Sequence, residues 1–131
     1  MFTIEEIYAA HAKVKSGEDF PSYIQDISKM GVREYEYFVK NGNTIYTGLN
    51  HTIETDTRYE TLVIAEKSNK PQFLLDLKLH QQGKSDFATF CNECAINGIE
   101  KWVVDLLKLT CTYYDKTGNQ ITVENIPSLF P

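Results

Sequence analysis

The feature that most constrains the fold of this chain is an internal sequence repeat. Residues 86–104, DFATFCNECAINGIEKWVV, resemble residues 19–37, DFPSYIQDISKMGVREYEY, at a constant offset along the chain. The matched pairs are Asp19/Asp86, Phe20/Phe87, Ser22/Thr89, Tyr23/Phe90, Gly31/Gly98, Val32/Ile99 and Tyr35/Trp102. An internal repeat constrains the architecture more strongly than local sequence signals do. We therefore predict that the chain folds as two similar structural units.

Length and charge limit the class of protein. A chain of 131 residues is long enough for one domain whose core needs neither disulfides nor metal. The formal net charge is −5 and the lysines and arginines are scattered, which argues against a nucleic-acid partner or an anionic membrane. The N-terminus carries acidic residues at once and no long apolar run. We therefore predict neither a signal peptide nor a membrane span, and expect a cytoplasmic protein.

Capping residues and glycines predict two helices in the first unit. Thr3 and Glu6 form a capping box that begins a helix over residues 3–16, and Gly17 ends it. The predicted apolar face of this helix comprises Ile4, Ile7, Tyr8, His11 and Val14. Asp19 is the predicted N-cap of the second helix, which carries a buried stripe of Tyr23, Ile24 and Ile27. Pro21 lies in its first turn, and Gly31 followed by Val32 predicts a Schellman motif at its end.

The second unit shows the same signals. Asn69 begins a helix that Gly83 ends, with an inward face of Phe73, Leu74, Leu77 and His80 and with Pro71 in its first turn. Ser85 or Asp86 caps the next helix, which ends at Gly98. Its predicted inward residues are Phe87, Phe90, Cys91, Cys94 and Ala95.

Strands follow the helices in both units. Alternating apolar residues predict strands at residues 32–40, 44–48, 51–55, 99–107, 110–115 and 120–124, and an additional buried strand at 61–65. The predicted core face carries Tyr35, Tyr37 and Val39 in one unit and Trp102, Val104 and Leu106 in the other. The apolar tail after Glu124 is expected to dock on the domain.

These elements predict an α+β fold. Each unit reads as two helices followed by three antiparallel strands, so the helices should pack mainly on one face of an antiparallel sheet. The predicted organisation is a single domain, 1–131, in which pseudo-repeats 3–55 and 69–124 are joined by residues 56–68. We expect the two units to share one sheet about a pseudo-twofold axis.

The pair Cys91 and Cys94 has the spacing of a redox or metal motif. A redox thiol requires a helix N-terminus, where the dipole lowers its pKa, but this pair falls in the middle of a predicted helix. The repeat aligns the two cysteines with the apolar Ile24 and Ile27. Cys111 with a histidine would have to complete a zinc site, without recognisable spacing. We favour packing over function, expect free thiols, and predict no metal and no cofactor.

Several residues are candidates for a ligand site. His11 and His80 are equivalent in the repeat, and each lies near the end of its helix. Either the helix dipole favours their charge, or they form a histidine pair near the pseudo-axis. His80 is the stronger candidate, because Gln81 supplies an amide beside it. The further candidates are Asp105, as a general base or one half of a surface pair with Lys101, and the aromatic residues Tyr113 and Tyr114.

The string of matched residues also resembles a known family. The segments His80-Gln81-Gln82-Gly83-Lys84, Gly98-Ile99-Glu100-Lys101-Trp102 and Thr110-Cys111-Thr112-Tyr113-Tyr114-Asp115, with Ala10-His11 and Asp19-Phe20-Pro21, are similar to the YbcV-like family. Its members are small bacterial and prophage proteins, often labelled phage envelope protein or protein of unknown function. The resemblance implies a fold and a bacterial cytoplasmic or prophage setting, and it implies no reaction and no catalytic residue.

Two functional hypotheses follow from these patterns. The first is a non-catalytic module that binds a small ligand or a protein. The second is a small enzyme in which His80 acts with Asp105 or a tyrosine hydroxyl, although no familiar catalytic motif occurs in the sequence. A homodimer is also expected, because the sheet face opposite the helices mixes apolar and charged residues. That face carries Phe38, Val103 and Leu107 among Glu34, Glu36, Lys101 and Asp105.

Overall fold

The computed structural model describes residues 1–15, 17–56 and 60–127. The helices within these ranges are α1 (Ile4–His11), α2 (Phe20–Lys29), α3 (Lys70–Gln81) and α4 (Phe87–Ile96), with a short 3₁₀ turn at Gly17–Asp19. The strands are β1 (Glu34–Phe38), β2 (Thr44–Thr47), β3 (Thr52–Glu54), β4 (Lys101–Asp105), β5 (Thr110–Tyr114) and β6 (Gln120–Asn125).

All six strands form one antiparallel sheet in the order β3-β2-β1-β4-β5-β6. The two units meet at its centre, where β1 pairs with β4 and Tyr37 lies opposite Trp102. Four helices with an antiparallel sheet confirm the predicted α+β class. The element order of two helices and three strands occurs in both halves of the chain. A common origin of the halves remains an inference from the sequence.

Three helices end as their glycines predict. In α2 the N–H of Val32 donates to the carbonyl of Ile27, and the N–H of Gly31 donates to that of Ser28. This is the pair of bonds that defines a Schellman motif, so the prediction for Val32 is confirmed. The ends of α3 and α4 carry the same two bonds, and their glycines, Gly83 and Gly98, have positive φ.

The start of the chain differs from the prediction. The capping box of Thr3 and Glu6 is present, but α1 ends at His11 and not at residue 16. Beyond His11 the backbone tightens into bonds between residues three apart, which satisfy the last carbonyls without a further helical turn. Asp19 precedes α2 without capping it, because its carboxylate accepts the N–H of Lys15.

Some predicted positions are also corrected. Residues 61–65 form no strand: Ile64 is buried, but Val63 is 88% exposed. Leu74 and Tyr8 were expected on inward helix faces, yet both are exposed, and Asp76 and Ala10 are buried instead. Asp86, and not Ser85, caps α4. The tail docks through Ile126, whose N–H donates to the Leu109 carbonyl, whereas residues 128–131 lie outside the described part of the chain.

The core lies between the helices and one face of the sheet. Tyr35, Tyr37, Val39, Trp102, Val104 and Leu106 are all buried, which confirms the predicted core face of both central strands. Helices α2, α3 and α4 each place an aromatic ring against this face. The helix layer does not fill the space above the sheet completely, and a cavity remains at the join between the two units.

Candidate ligand-binding cavity

The floor of the cavity consists of two neighbouring rows of side chains that cross the sheet. Strand register aligns Tyr46, Tyr35, Val104, Cys111 and Glu124 in one row. It aligns Thr44, Tyr37, Trp102, Tyr113 and Thr122 in the other. Because alternate residues of a strand face the same side, both rows face the helices. The centre of the floor is therefore aromatic, and its β6 edge carries a carboxylate.

The walls come from all four helices and from the segments that join them. The first unit contributes His11, Val14, Lys15, Glu18, Phe20, Pro21 and Tyr23, and the second contributes Leu77, His80, Gln81, Phe87 and Phe90. The cavity has a volume of about 520 Å³, which is within the range of small-molecule sites. Exposed Lys15, Glu18 and Gln81 line its rim, so it opens to solvent.

The same order of ring contacts occurs in each unit. In the first unit His11 packs edge-on against Tyr23 at 5.4 Å between ring centroids, and Tyr23 contacts Tyr35 at 6.3 Å. In the second unit His80 stacks on Phe90 at 4.3 Å, and Phe90 contacts Trp102 at 5.8 Å. We call these two sets, His11–Tyr23–Tyr35 and His80–Phe90–Trp102, the first and second ring series.

Phe87 joins the two ring series. Its ring centroid is 6.4 Å from that of His11 and 6.5 Å from that of His80. It also packs edge-on against Trp102 and Tyr37, which stack on each other at 4.3 Å. Both equivalent histidines thus lie at one cavity, on either side of a shared phenylalanine.

The environment of His80 favours a neutral imidazole. Burial lowers its pKa from the usual 6.5, while the hydrogen bond with the Ser85 backbone and the charge of Asp86 oppose this shift. Nδ1 of His80 lies 3.2 Å from both the carbonyl and the hydroxyl oxygen of Ser85. A ring nitrogen that donates to a carbonyl leaves the other nitrogen as an acceptor in the neutral tautomer. Among the described residues, none forms a hydrogen bond with Nε2 of His80.

The cavity floor also carries tyrosine hydroxyls. The hydroxyl oxygens of Tyr23 and Tyr46 are 3.0 Å apart, and the hydroxyl of Tyr37 lies 3.5 Å from the sulfur of Cys91. Burial raises the pKa of Tyr35 and of Tyr113 well above the usual value. These phenols therefore stay protonated at neutral pH and present dipoles, not charges, to the cavity.

All three cysteines are buried thiols. Burial raises the pKa of Cys91 to about 11 and that of Cys111 to about 12, and it raises the pKa of Cys94 as well. Because the thiolate is the nucleophile and the metal ligand, this environment favours unreactive cysteine. The predicted burial of Cys91 and Cys94 is confirmed. Within residues 1–15, 17–56 and 60–127, no cluster of three or more histidine, cysteine or acidic residues is arranged to hold a metal ion.

The structure divides the candidate residues named from the sequence between two faces. His80, Gln81 and Tyr113 line the cavity. Asp105 and Tyr114 alternate with the floor residues and lie on the opposite face of the sheet. The Asp105 carboxylate accepts the N–H groups of Leu107 and Lys108, where it stabilises the turn after β4. Asp105 therefore does not assist His80.

The opposite face of the sheet, which we call the outer face, has a mixed character. At its centre Lys101 forms an ion pair with Glu36, and its ammonium lies 5.8 Å from the ring of Phe38 and 5.5 Å from that of Tyr114. Apolar residues of this face include Ile45, Val103 and Val123, and Leu107 follows in the turn after β4. Leu107 is 74% exposed and Val123 is 44% exposed.

Most of the cavity was not predicted from the sequence. Tyr23, Tyr35, Tyr37 and Trp102 were assigned to the core, and they are indeed buried, but they also line an open space. Glu18 and Glu124 were not singled out at all. The repeat was the available signal, because its matched residues Tyr35 and Trp102 lie on strands that pair at the centre of the sheet.

Comparison with known proteins gives one family. The model of the family described as Protein of unknown function (DUF1398) matches residues 8–125, which is most of the chain. This chain belongs to that family. The DUF1398 description names no reaction or ligand, so membership of the family assigns no function to the cavity.

A second comparison identifies a eukaryotic relative. The chain is similar to the probable endoplasmic reticulum-Golgi intermediate compartment protein 3 of Dictyostelium discoideum, with 32% identity over 107 residues. The match covers 66% of this DUF1398 chain but only 28% of the length of that protein. Among the described residues, none of the helices combines the length and apolar character needed to cross a bilayer.

Proposed function

We propose that this protein is a non-catalytic module that binds a small molecule in the cavity between its helices and its sheet. The observation that carries the proposal is a space of about 520 Å³ lined mainly by aromatic rings, with a few polar groups at its edges. Binding sites for small molecules are typically concave and apolar, with a small number of polar groups that fix orientation. Nε2 of the neutral His80 is one such group, and the amide of Gln81 at the rim is another.

The single tryptophan offers a direct test. Trp102 lines the cavity, so a ligand that enters it should change the tryptophan emission in a saturable way. We expect a screen of ring-containing fragments, both neutral and charged, to yield compounds that change this emission and also raise the melting temperature. Saturable changes in both signals support the proposal, and a screen in which no fragment changes either signal contradicts it.

A matched pair of variants locates the binding. Leu77→Phe adds volume at a buried position that lines the cavity, whereas Leu75→Phe makes the same change at a position of α3 that is 60% exposed. We expect Leu77→Phe to abolish fragment binding and Leu75→Phe to preserve it, with both variants retaining the circular dichroism of the wild type. Equal binding by the two folded variants would exclude the cavity as the site.

A small enzyme centred on His80 is the second candidate. It is favoured by the half-buried neutral imidazole of His80, which has the acceptor nitrogen that a general base requires. A tyrosine hydroxyl of the floor would be its partner, because Asp105 lies on the outer face. Chemical conversion of a bound fragment, lost in His80→Gln while binding persists, would favour the enzyme. Recovery of every bound fragment unchanged would favour the binding module.

We also propose that this is a cytoplasmic protein encoded by a bacterium or a prophage, because the sequence resembles the YbcV-like family. We also propose that the protein forms a homodimer through the outer face. The support is the apolar surface around Val103 and Phe38, whose central charge is already neutralised by the Lys101–Glu36 pair. A second copy that covers this face would remove the exposed parts of Leu107 and Val123 from water.

Sedimentation at micromolar concentration tests the dimer. We expect the wild type to sediment as a dimer and Val103→Asp to sediment as a monomer, because a new carboxylate would be buried in the interface without a partner. Val63→Asp is the control, since Val63 is 88% exposed and lies outside the sheet. A wild type that sediments as a monomer refutes this proposal and leaves the cavity proposal intact.

A further inference from the structure

We propose that the ligand of the cavity is a small organic cation, an ammonium or quaternary ammonium compound held among the floor aromatic rings beside the carboxylate of Glu124. This inference rests on the proposed function, since it names the class of molecule that the same cavity binds. Three independent features of the described residues support it: the aromatic floor, the position of one carboxylate, and the distribution of the remaining charges.

The floor supplies the surface that attracts a cation. Tyr35, Tyr46, Trp102 and Tyr113 occupy adjacent positions on four neighbouring strands and all line the cavity. The face of an aromatic ring carries partial negative charge, and tryptophan and tyrosine attract ammonium groups most strongly when water is excluded. A neutral ring system would also pack here, so the aromatic floor alone does not decide the class.

The carboxylate of Glu124 favours a cationic ligand over a neutral one. Strand register places it next to Cys111 on the floor side of β6, where it is half-buried. Burial is the main cause that raises the pKa of the Cys111 thiol, and the negative charge of Glu124 raises it further. Within the described part of the chain, the Glu124 carboxylate forms no hydrogen bond or ion pair. A partly buried carboxylate without a cation is stabilised when a cationic ligand supplies one.

The other charges of the cavity do not oppose a cation. Besides Glu124, the lining includes Glu18 and Lys15, which are both exposed at the rim. His80 is predominantly neutral near pH 7, because burial lowers its pKa. The formal net charge of −5 also raises the local concentration of cations around the molecule. Among the described lining residues, an anionic ligand would meet the carboxylates of Glu18 and Glu124 and the ammonium of Lys15, so the charges favour a cation over an anion.

A matched pair of probes isolates the charge. The trimethylammonium compound 4-(trimethylammonio)phenol and its neutral isostere 4-tert-butylphenol differ only in whether the quaternary centre is N⁺ or carbon. In calorimetric titrations of the wild type, we expect the cation to bind about tenfold more tightly, a difference of about 1.4 kcal/mol. That difference is within the range measured for ammonium groups over aromatic rings.

Two variants with the same change in net charge complete the experiment. We expect Glu124→Gln to weaken binding of the cation about tenfold and to leave binding of 4-tert-butylphenol unchanged. Glu34→Gln removes an exposed carboxylate of β1 on the outer face and should alter neither affinity. Equal losses in the two variants would mean that overall charge, and not Glu124, attracts the cation, and would overturn the inference.

The outcomes separate this inference from the proposed function. If 4-tert-butylphenol binds as tightly as the cation and Leu77→Phe abolishes that binding, the cavity is a ligand site but the cationic class is wrong. If the cation binds equally well to Leu77→Phe and to the wild type, it binds elsewhere, and the inference is also wrong. If neither probe gives heat with the wild type while other fragments change the emission of Trp102, the proposed function stands and the inference falls.

Discussion

The two ring series, His11–Tyr23–Tyr35 and His80–Phe90–Trp102, have the same order of ring contacts but differ in their middle ring. In the first series the middle ring is a tyrosine, and its hydroxyl lies 3.0 Å from that of Tyr46. In the second series the middle ring is Phe90, which has no hydroxyl and instead stacks on His80 with an interplanar angle of 6°. The first unit thus has a polar contact between two hydroxyls on its side of the cavity, and the second unit has stacked rings.

On the proposal that the cavity binds a ligand, this difference gives the two units different roles. A hydroxyl contact holds Tyr23 and Tyr46 in one relative orientation, because hydrogen bonds are directional. Burial lowers the pKa of His80 and so favours the neutral imidazole, in which Nε2 is the acceptor when Nδ1 donates to the Ser85 carbonyl. The first unit would then help to fix the shape of the cavity, and the second would supply an acceptor nitrogen to the ligand.

The largest effect is expected at Trp102, the ring of the second series that lies on the sheet. Trp102 is 6% exposed, stacks on Tyr37 and contacts Phe87, Phe90 and Tyr113. Trp102→Ala should lower the free energy of unfolding by about 3–5 kcal/mol, a large part of the stability of a small domain. Urea titration followed by circular dichroism measures this change. A loss below about 1 kcal/mol, comparable to a surface substitution, would contradict the role of Trp102 as a core residue.

The next effect concerns the cysteines of α4. The double change Cys91→Val and Cys94→Ile gives the second unit side chains like those of Ile24 and Ile27 in the first. Added volume in a packed core should lower the free energy of unfolding by about 1–3 kcal/mol, with the fold retained. The same urea titration measures it, and fragment binding should persist. Zinc in the purified wild type, or binding lost while the fold is intact, would show that these thiols have more than a packing role.

A smaller effect is expected when the middle rings, Tyr23 and Phe90, are exchanged. Tyr23→Phe makes the first series resemble the second and removes the contact with the Tyr46 hydroxyl. We expect a loss of about 0.5–1.5 kcal/mol in the free energy of unfolding, the usual net value of one hydrogen bond. Phe90→Tyr is the reciprocal variant and should give no compensating gain, because its new hydroxyl would adjoin apolar rings. If Tyr23→Phe is neutral while Tyr46→Phe is destabilising, the hydroxyl of Tyr23 is not the partner that matters.

The parts of this fold that were predictable from sequence are those fixed by local chemistry. The ends of α2, α3 and α4 could be predicted, because each is followed by a glycine with positive φ, a conformation that other residues rarely adopt. These glycines are Gly31, Gly83 and Gly98. At Gly98 a side chain would also meet the Lys67 carbonyl at 2.7 Å. The core face of β1 and β4 followed from alternation, because a strand has only two faces.

The parts that were not predictable depend on tertiary context. Residues 61–65, TLVIA, have strand-forming side chains but lie in an irregular segment with only Ile64 buried, because strand propensity yields to the available partners. The cavity itself has no sequence signature, since an aromatic residue that lines a space and one that fills a core look alike. Of the candidate residues named from the sequence, His11, His80, Gln81 and Tyr113 line the cavity.

The smallest expected effect is a dependence of stability on pH that belongs to the second ring series. His80 has a lowered pKa in the folded state, so below its usual value of 6.5 the unfolded chain binds more protons than the folded one. Its contribution is therefore complete above that value and is lost as pH falls toward the folded pKa. The free energy of unfolding should decrease between about pH 7.5 and about pH 5.5, and less so in His80→Gln. Binding of a fragment that donates to Nε2 should weaken over the same interval. The equivalent variant His11→Gln tests the comparison: if it flattens the pH dependence and His80→Gln does not, the titrating histidine belongs to the first unit, and the assignment of chemistry to the second is wrong.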